Sequence, residues 1–316
     1  MIVAEFNYGG QAVMEGVMMR GSKVMAVAVR APNDRIVVHT EPLNQAIYGS
    51  WPAKVPFVRG ITMLWDTLVL GMRTLMFSAD IAMQNEPSGN GSTQGGAPES
   101  AFSAPLAWGS IALAVVMAVG LFFLLPAFLT RLIDRYIASA LLSNLVEGLI
   151  RLAFVLAYIW AVGFVPDIAR VFRYHGAEHK TIHTYEEGMP LTVEAIQGHT
   201  TAHSRCGTAF ILVVMVISVL IFALLGRPTL WIRLLSRIVL LPVIVGISYE
   251  WLKFSARHAD KGWMRVLLLP GLALQRLTTR EPDDKMVEVA MTALKRVLQE
   301  EGVALVATEN TENKEI

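Results

Sequence analysis

The apolar residues of this chain follow two regimes. Up to about residue 83 they alternate with polar residues or recur at helical spacing, and beyond residue 105 they merge into uninterrupted runs. Residues 106–129 and 208–225 carry no charge at all, and 152–165 forms a third run that starts nearer Leu145, with Glu147 and Arg151 at its edge. A fourth lies within 230–252, with Arg233 and Arg237 near its start. Crossing ~30 Å of hydrocarbon takes about 20 helical residues at 1.5 Å each, so the pattern predicts about four transmembrane helices. The arginines at the span edges are expected to snorkel toward headgroups. Residues 263–274, interrupted by Pro270-Gly271, are too short for a crossing and read as an interfacial or re-entrant segment.

The first regime predicts other elements. Residues 24–30 and 35–40 are rich in β-branched residues and joined by Ala31-Pro32-Asn33-Asp34, the composition of a β-hairpin. The glycines of the preceding segment, 9–20, suit a packed strand–turn path. An anion site there is the alternative, although the spacing matches no phosphate loop. Residues 57–83 predict a long helix with Leu64, Leu68, Leu75 and Ala79 on one stripe, set on the membrane surface or against hairpin or spans. Residues 86–105 read as a flexible linker. Residues 283–300 predict an amphipathic helix, with Val287, Ala290, Leu294, Val297 and Leu298 inward and an acidic start after Pro282. A frayed polar tail follows from Thr308.

The expected organisation is therefore a mainly α-helical polytopic membrane protein with a small N-terminal α+β segment. Its parts are an N-terminal cytoplasmic segment (1–84), a linker (85–105), a transmembrane bundle (106–252) holding a histidine-rich loop (166–207), and a C-terminal segment (253–316). Composition agrees, since 54% of the 316 residues are hydrophobic and 17% charged, against ~45–50% and ~25% in soluble domains. Lysine and arginine concentrate before the first span (Arg20 to Arg73), in the central loop (Arg170, Arg173, Lys180, Arg205) and after the last span (Lys253, Arg257, Lys261, Arg265). By the positive-inside rule both termini and the loop face the cytoplasm of the cell (inner) membrane. No signal peptide is visible, so the spans direct insertion. A net charge of +1 argues against a nucleic-acid partner, and one cysteine, Cys206, excludes an intrachain disulfide.

Candidate chemistry concentrates in the central loop. His175, His179, His183 and Glu186 share one face of a helix that Pro166-Asp167 can begin and Gly188 with Pro190 can end. His203 and Cys206 follow at the mouth of the third span. Imidazole, thiolate and carboxylate are the ligand set of zinc and its neighbours, so these six residues are the candidate metal ligands, with zinc the expected ion. His175-Gly176-Ala177-Glu178-His179 also fits the H-x-x-E-H pattern of inverted zinc proteases, in which the glutamate serves as general base. Glu178 is then the catalytic candidate. Glu250 could add a downstream carboxylate, although an ion pair with Lys253 explains it as well. His199 is a spare imidazole, and a solvated, charged helix without metal is the alternative for the whole loop.

Three stretches together resemble one family: 9–20, Tyr174-His175-Gly176-Ala177-Glu178-His179-Lys180, and 203–208, with Thr278-Thr279-Arg280-Glu281-Pro282-Asp283 similar too. They look like the signatures of the bacterial YqhQ-like membrane proteins, a domain of unknown function described as predicted metal-dependent enzymes. The likeness covers nearly the whole chain except the linker. Ser204 stands where that family's pattern leads one to expect proline. Two functions follow as expectations: a membrane-embedded metal-dependent hydrolase, peptidase-like, acting on a protein or peptide at the cytoplasmic interface; or a non-enzymatic biogenesis or assembly factor with membrane-protein partners and a structural metal. A transporter is the weakest option, because the first and third spans hold no charge.

Overall fold

The computed structural model describes residues 8–44, 50–83, 104–203, 206–226, 229–258 and 261–303. The expected linker falls outside these residues except for 104–105, which are helical, and the tail from Thr308 lies outside as well.

The N-terminal part is a four-stranded antiparallel meander, β1 (Gly9–Val13), β2 (Gly16–Arg20), β3 (Val24–Arg30) and β4 (Ile36–Pro42), in that order. The expected hairpin is β3–β4, and the glycine-rich segment before it is a second hairpin with a two-residue turn at Met14-Glu15. Glu15, the second residue of the turn, takes the left-handed conformation (φ 50°). Strand alternation divides the side chains between two cores. Val17, Met19, Ala26 and Ala28 pack on one face, whereas Val13, Met18, Met25, Val27 and Val29 pack on the other.

Against the second face lies α1 (Val58–Met83), which contributes Leu70. The helix is where periodicity predicts it. Asp66, Leu70, Thr74 and Ser78 face inward, while Trp65 (68% exposed), Leu68 (59%), Met72 and Leu75 face outward. Asp66 is neutralised by Arg20 at 3.7 Å.

Next come the apolar helices. α2 (Ala104–Val119) runs through a π-turn at Gly120–Leu124 into α3 (Leu125–Ile133), and α4 (Ala140–Val162) follows. Pro126 explains the π-turn: it has no N–H for the carbonyl of Phe122 four residues back, so the ladder shifts. That carbonyl accepts instead from Arg151 Nε at 3.0 Å. Arg151 and Arg237 both bond Glu147 Oε1, at 2.8 and 2.6 Å, and all three side chains are less than 10% exposed. The expected snorkelling of Arg151 and Arg237 is thereby corrected. Their charge is matched inside the bundle, which makes travel to a headgroup unnecessary.

α5 (Pro166–Glu186) and the short α6 (Val193–Gln197) form the central loop. α7 (Gly207–Ala223), α8 (Leu230–Arg257), α9 (Gly262–Thr278) and α10 (Asp284–Glu300) complete the described chain. Among the described residues, three helical stretches are long and apolar enough to cross a membrane, Ala112–Tyr136, Ala140–Val162 and Leu235–Arg257, while Gly207–Ala223 is a shorter apolar helix of 17 residues. α9 continues through Pro270 and packs on α7, with Gly271 against Ala209. α10 begins as expected, Asp283 accepting from the Met286 N–H at 2.9 Å, and buries all five predicted inward residues against β2, β3 and α5. Sheet, α5 and α10 thus form one body at one end of the bundle.

Candidate metal centre

α5 starts at Pro166, whose fixed φ suits the first helical position, and ends at Glu186, after which Gly188 turns left-handed (φ 69°). His175 and His179 lie one turn apart on it. Cys206 caps the N-terminus of α7, its sulfur accepting from the Thr208 N–H at 3.4 Å. A helix N-terminus favours an anionic ligand atom there. The ligand atoms of His175, His179 and Cys206 lie within 4.8 Å of one another.

The two imidazoles are oriented by main-chain carbonyls. His175 Nδ1 meets the Thr278 carbonyl at 2.9 Å and His179 Nδ1 the Thr201 carbonyl at 2.5 Å. A carbonyl only accepts, so each Nδ1 carries the proton and each Nε2 presents a lone pair. His175 Nε2 stands 3.3 Å from Cys206 Sγ. His179 Nε2 is buried and has no hydrogen-bond partner among the described residues. A buried nitrogen left unsatisfied costs about 1–3 kcal/mol. Carbonyl-held histidines with inward lone pairs are how metal-binding imidazoles are arranged, so the donor set fits a metal. Glu178 is also buried, with Oε2 3.5 Å from His179 Nε2.

The other candidates sit beside this trio. His203 Nε2 is 3.4 Å from Glu186 Oε2, and the His183 ring is 4.7 Å from that of His203 and 6.2 Å from that of His199. His179 and His203 rings are 5.6 Å apart, so the two groups adjoin. Burial, and then the neighbouring His203, push His183 down to about 4, which keeps it neutral at pH 7. Glu250 lies elsewhere: it bonds Arg59 Nε at 2.7 Å and the Phe57 N–H at 3.1 Å, tying α1 to α8. The expected choice between metal ligand and Lys253 partner is thus replaced by an Arg59 ion pair. Ser204 and Arg205 lie outside the described residues.

Several residues that the sequence did not single out hold the centre together. Gln275 brackets His203, accepting from its N–H at 2.8 Å and donating to its carbonyl at 2.7 Å. The 278–280 segment reaches α5 because Gly176 has no side chain, since a Cβ there would collide with the Arg280 carbonyl. Arg280 N–H then bonds the Phe172 carbonyl at 2.9 Å. The only sequence signal for this was the Thr278-Thr279-Arg280 motif itself, because main-chain acceptors leave no residue signature.

A cavity of about 600 Å³ opens beside the trio, between α5, the start of α7, Thr67 of α1, and β1 from Gly9 to Ala12. Gly10 touches the acid itself, because a Cβ there would lie 2.7 Å from Glu178 Cγ. The glycine-rich segment is therefore a wall of the site.

Comparison with known proteins finds one curated relative, "Uncharacterized protein YqhQ" of Bacillus subtilis (strain 168), 34% identical over 298 residues and covering 94% of each chain. No solved structure matches. The family model described as "Protein of unknown function (DUF1385)" matches residues 55–300, and the chain belongs to that YqhQ-like family.

Proposed function

We propose that this chain is a four-span protein of the bacterial inner membrane, with both termini cytoplasmic. At its cytoplasmic face it carries a metal-dependent hydrolase centre of peptidase type. His175, His179 and Cys206 hold the metal and Glu178 is the general base. What carries the reading is the inward lone pair of His179, buried beside a second carbonyl-held imidazole, a thiol and a carboxylate. Two imidazoles and a thiolate suit zinc, and three protein ligands facing a cavity are the catalytic rather than the closed structural pattern. Zinc held there would supply Lewis acidity toward a carbonyl oxygen and acidify a water molecule. Glu178 takes the proton of the attacking water and returns it to the leaving amine. Gly10 leaves room for the carboxylate, and the Thr201 and Thr278 carbonyls fix the imidazole tautomers. His183, His203 and Glu186 form a second group around the first.

The purified protein is expected to hold about one transition metal per chain, lost when His175 and His179 are changed to alanine. Glu178→Gln should keep the metal and abolish activity or complementation. Metal-free wild-type protein would end the reading. A specific observation favours the assembly-factor alternative: the His203 ring near His179 could close a structural site. In that case Glu178→Gln would keep metal and complementation alike.

A further inference from the structure

β1 is an edge strand, and its edge opens on the cavity of the metal centre. Which of its main-chain groups point outward follows from the hairpin registers. The two-residue turn makes Val13 and Gly16 a hydrogen-bonded pair, and such pairs alternate along an antiparallel ladder. Gln11 with Met18 and Gly9 with Arg20 are then also bonded. The next hairpin gives the same phase, since Gly21 N–H bonds the Val24 carbonyl and Arg30 N–H the Glu15 carbonyl. The N–H and C=O groups of Gly10 and Ala12 therefore point away from the sheet. Among the described residues, no main-chain bond from outside the sheet reaches either of them.

Sheet edges are usually blunted against pairing by charge, proline or cover. β4, the other edge, is blunted in this way: it ends in Pro42 and carries the His39–Glu41 pair at 3.0 Å. Among the described residues, β1 carries neither charge nor proline along its edge. Gly10 is exposed in mid-strand, although on the face toward α5 a Cβ there would collide with the Met19 sulfur and the Glu178 side chain. Gln11, the one long side chain facing α1, tucks against Gly71, where even a Cβ would lie 2.6 Å from its Oε1. The strand is thus stripped of obstructing side chains along the wall it shares with Glu178, His175 and His179.

We propose that the free edge of β1 is the docking rail for an extended polypeptide segment. The segment is added as a fifth strand, with its backbone on the Gly10 and Ala12 groups and its length passing Glu178 and the His175–His179–Cys206 trio. Main-chain hydrogen bonds supply most of the affinity in such strand addition, so the preference is for an unfolded or looped chain rather than for a particular sequence. The fate of the bound segment rests on the hydrolase reading; its binding does not.

The test uses the full-length Glu178→Gln chain in detergent micelles and a fluorescein-labelled hexapeptide of alternating valine and threonine. It also uses the same peptide N-methylated at every residue, which keeps the side chains but cannot donate to a ladder. Saturable binding of the first is expected, weakened about tenfold or more in the second. Ala12→Pro removes the outward N–H from an edge position where proline is tolerated. It should weaken the unmodified peptide by a similar factor while metal content stays unchanged. Equal binding of the two peptides, no saturable binding of the first, or full affinity in Ala12→Pro with a normal melting curve would each overturn the rail. Binding without cleavage by the wild-type chain would keep the rail and remove the peptidase. Cleavage indifferent to Ala12→Pro would do the reverse.

Discussion

Gly176 shows how much one missing side chain can decide. It lies between His175 and Ala177 on α5, and the 278–280 backbone passes so close that a methyl group would sit deep inside van der Waals contact with the Arg280 carbonyl. Backbone cannot rotate away as a side chain can. Gly176→Ala must therefore push the segment off α5, and with it the Thr278 carbonyl that orients His175. A loss of about 1–3 kcal/mol in stability is expected from the overpacking. Metal affinity should fall about tenfold or more, because the oriented tautomer is lost. Gly9 is the control: a Cβ there meets nothing within 4 Å, so Gly9→Ala should leave the melting temperature unchanged. Thermal melts and metal titration of both variants check the pair. If Gly176→Ala binds metal as tightly as wild type, the carbonyl does not hold His175 in place.

At the scale of elements, α1 separates what periodicity can tell from what it cannot. The 57–83 pattern places a helix correctly, but a hydrophobic stripe is equally a core face or a lipid face, and the sequence does not say which. Burial of Asp66, Thr74 and Ser78, with Trp65, Leu68 and Met72 outward, is the inverse of a soluble amphipathic helix. Such a face is expected to lie in the acyl-chain boundary. In vesicles of brominated lipid, Trp65 fluorescence should be quenched, and Trp65→Phe should remove a measurable share of the total quenching. A quenching curve unchanged by that substitution would place α1 away from lipid. α10 is legible to within one residue at its start, because a polar face and an acidic start leave one solution, although Met286, Val289 and Ala293 are buried as well. The β1–β2 hairpin was read only as strand and turn, since glycines lack the β-branched signal. Sequence alone makes Arg151 and Arg237 surface anchors, because their partner Glu147, and the carbonyl freed by Pro126, become visible only when helices pack. For the centre, ligand-capable residues were legible by type, whereas the carbonyls of Thr201 and Thr278, and Gly10 beside Glu178, needed the fold.

At the scale of the molecule, the N-terminal sheet and α10 close one body beside the centre. α10 covers the sheet on the side facing α5, and the residue that follows it, Glu301, fastens the β2–β3 turn. Its carboxylate accepts from Lys23 N–H at 2.7 Å, Ser22 Oγ at 3.0 Å and Tyr8 hydroxyl at 2.9 Å. Arg30 reaches Glu288 at 2.9 Å on the same side. Because α10 packs directly on α5, loosening α10 should loosen the His175 face. Burial by itself would raise the Glu301 carboxyl, but the hydrogen bonds from Lys23, Tyr8 and Ser22 outweigh it and set the group below its ordinary 4.5. With the folded value below the unfolded one, the unfolded chain binds the proton more readily. The stabilisation is then complete above the ordinary value and is lost as pH falls through the folded one. Glu301→Gln keeps the shape and removes the charge. It should cost about 1 kcal/mol or less at pH 7, given partial exposure to solvent. The gap between wild-type and variant melting temperatures should be constant from pH 7 to about 5.5 and close as the pH is lowered toward 3. A gap that persists at pH 3 would mean that the lost stability comes from packing rather than from the carboxylate. In that case the Glu301 contacts would not be the pH-sensitive point of the fold.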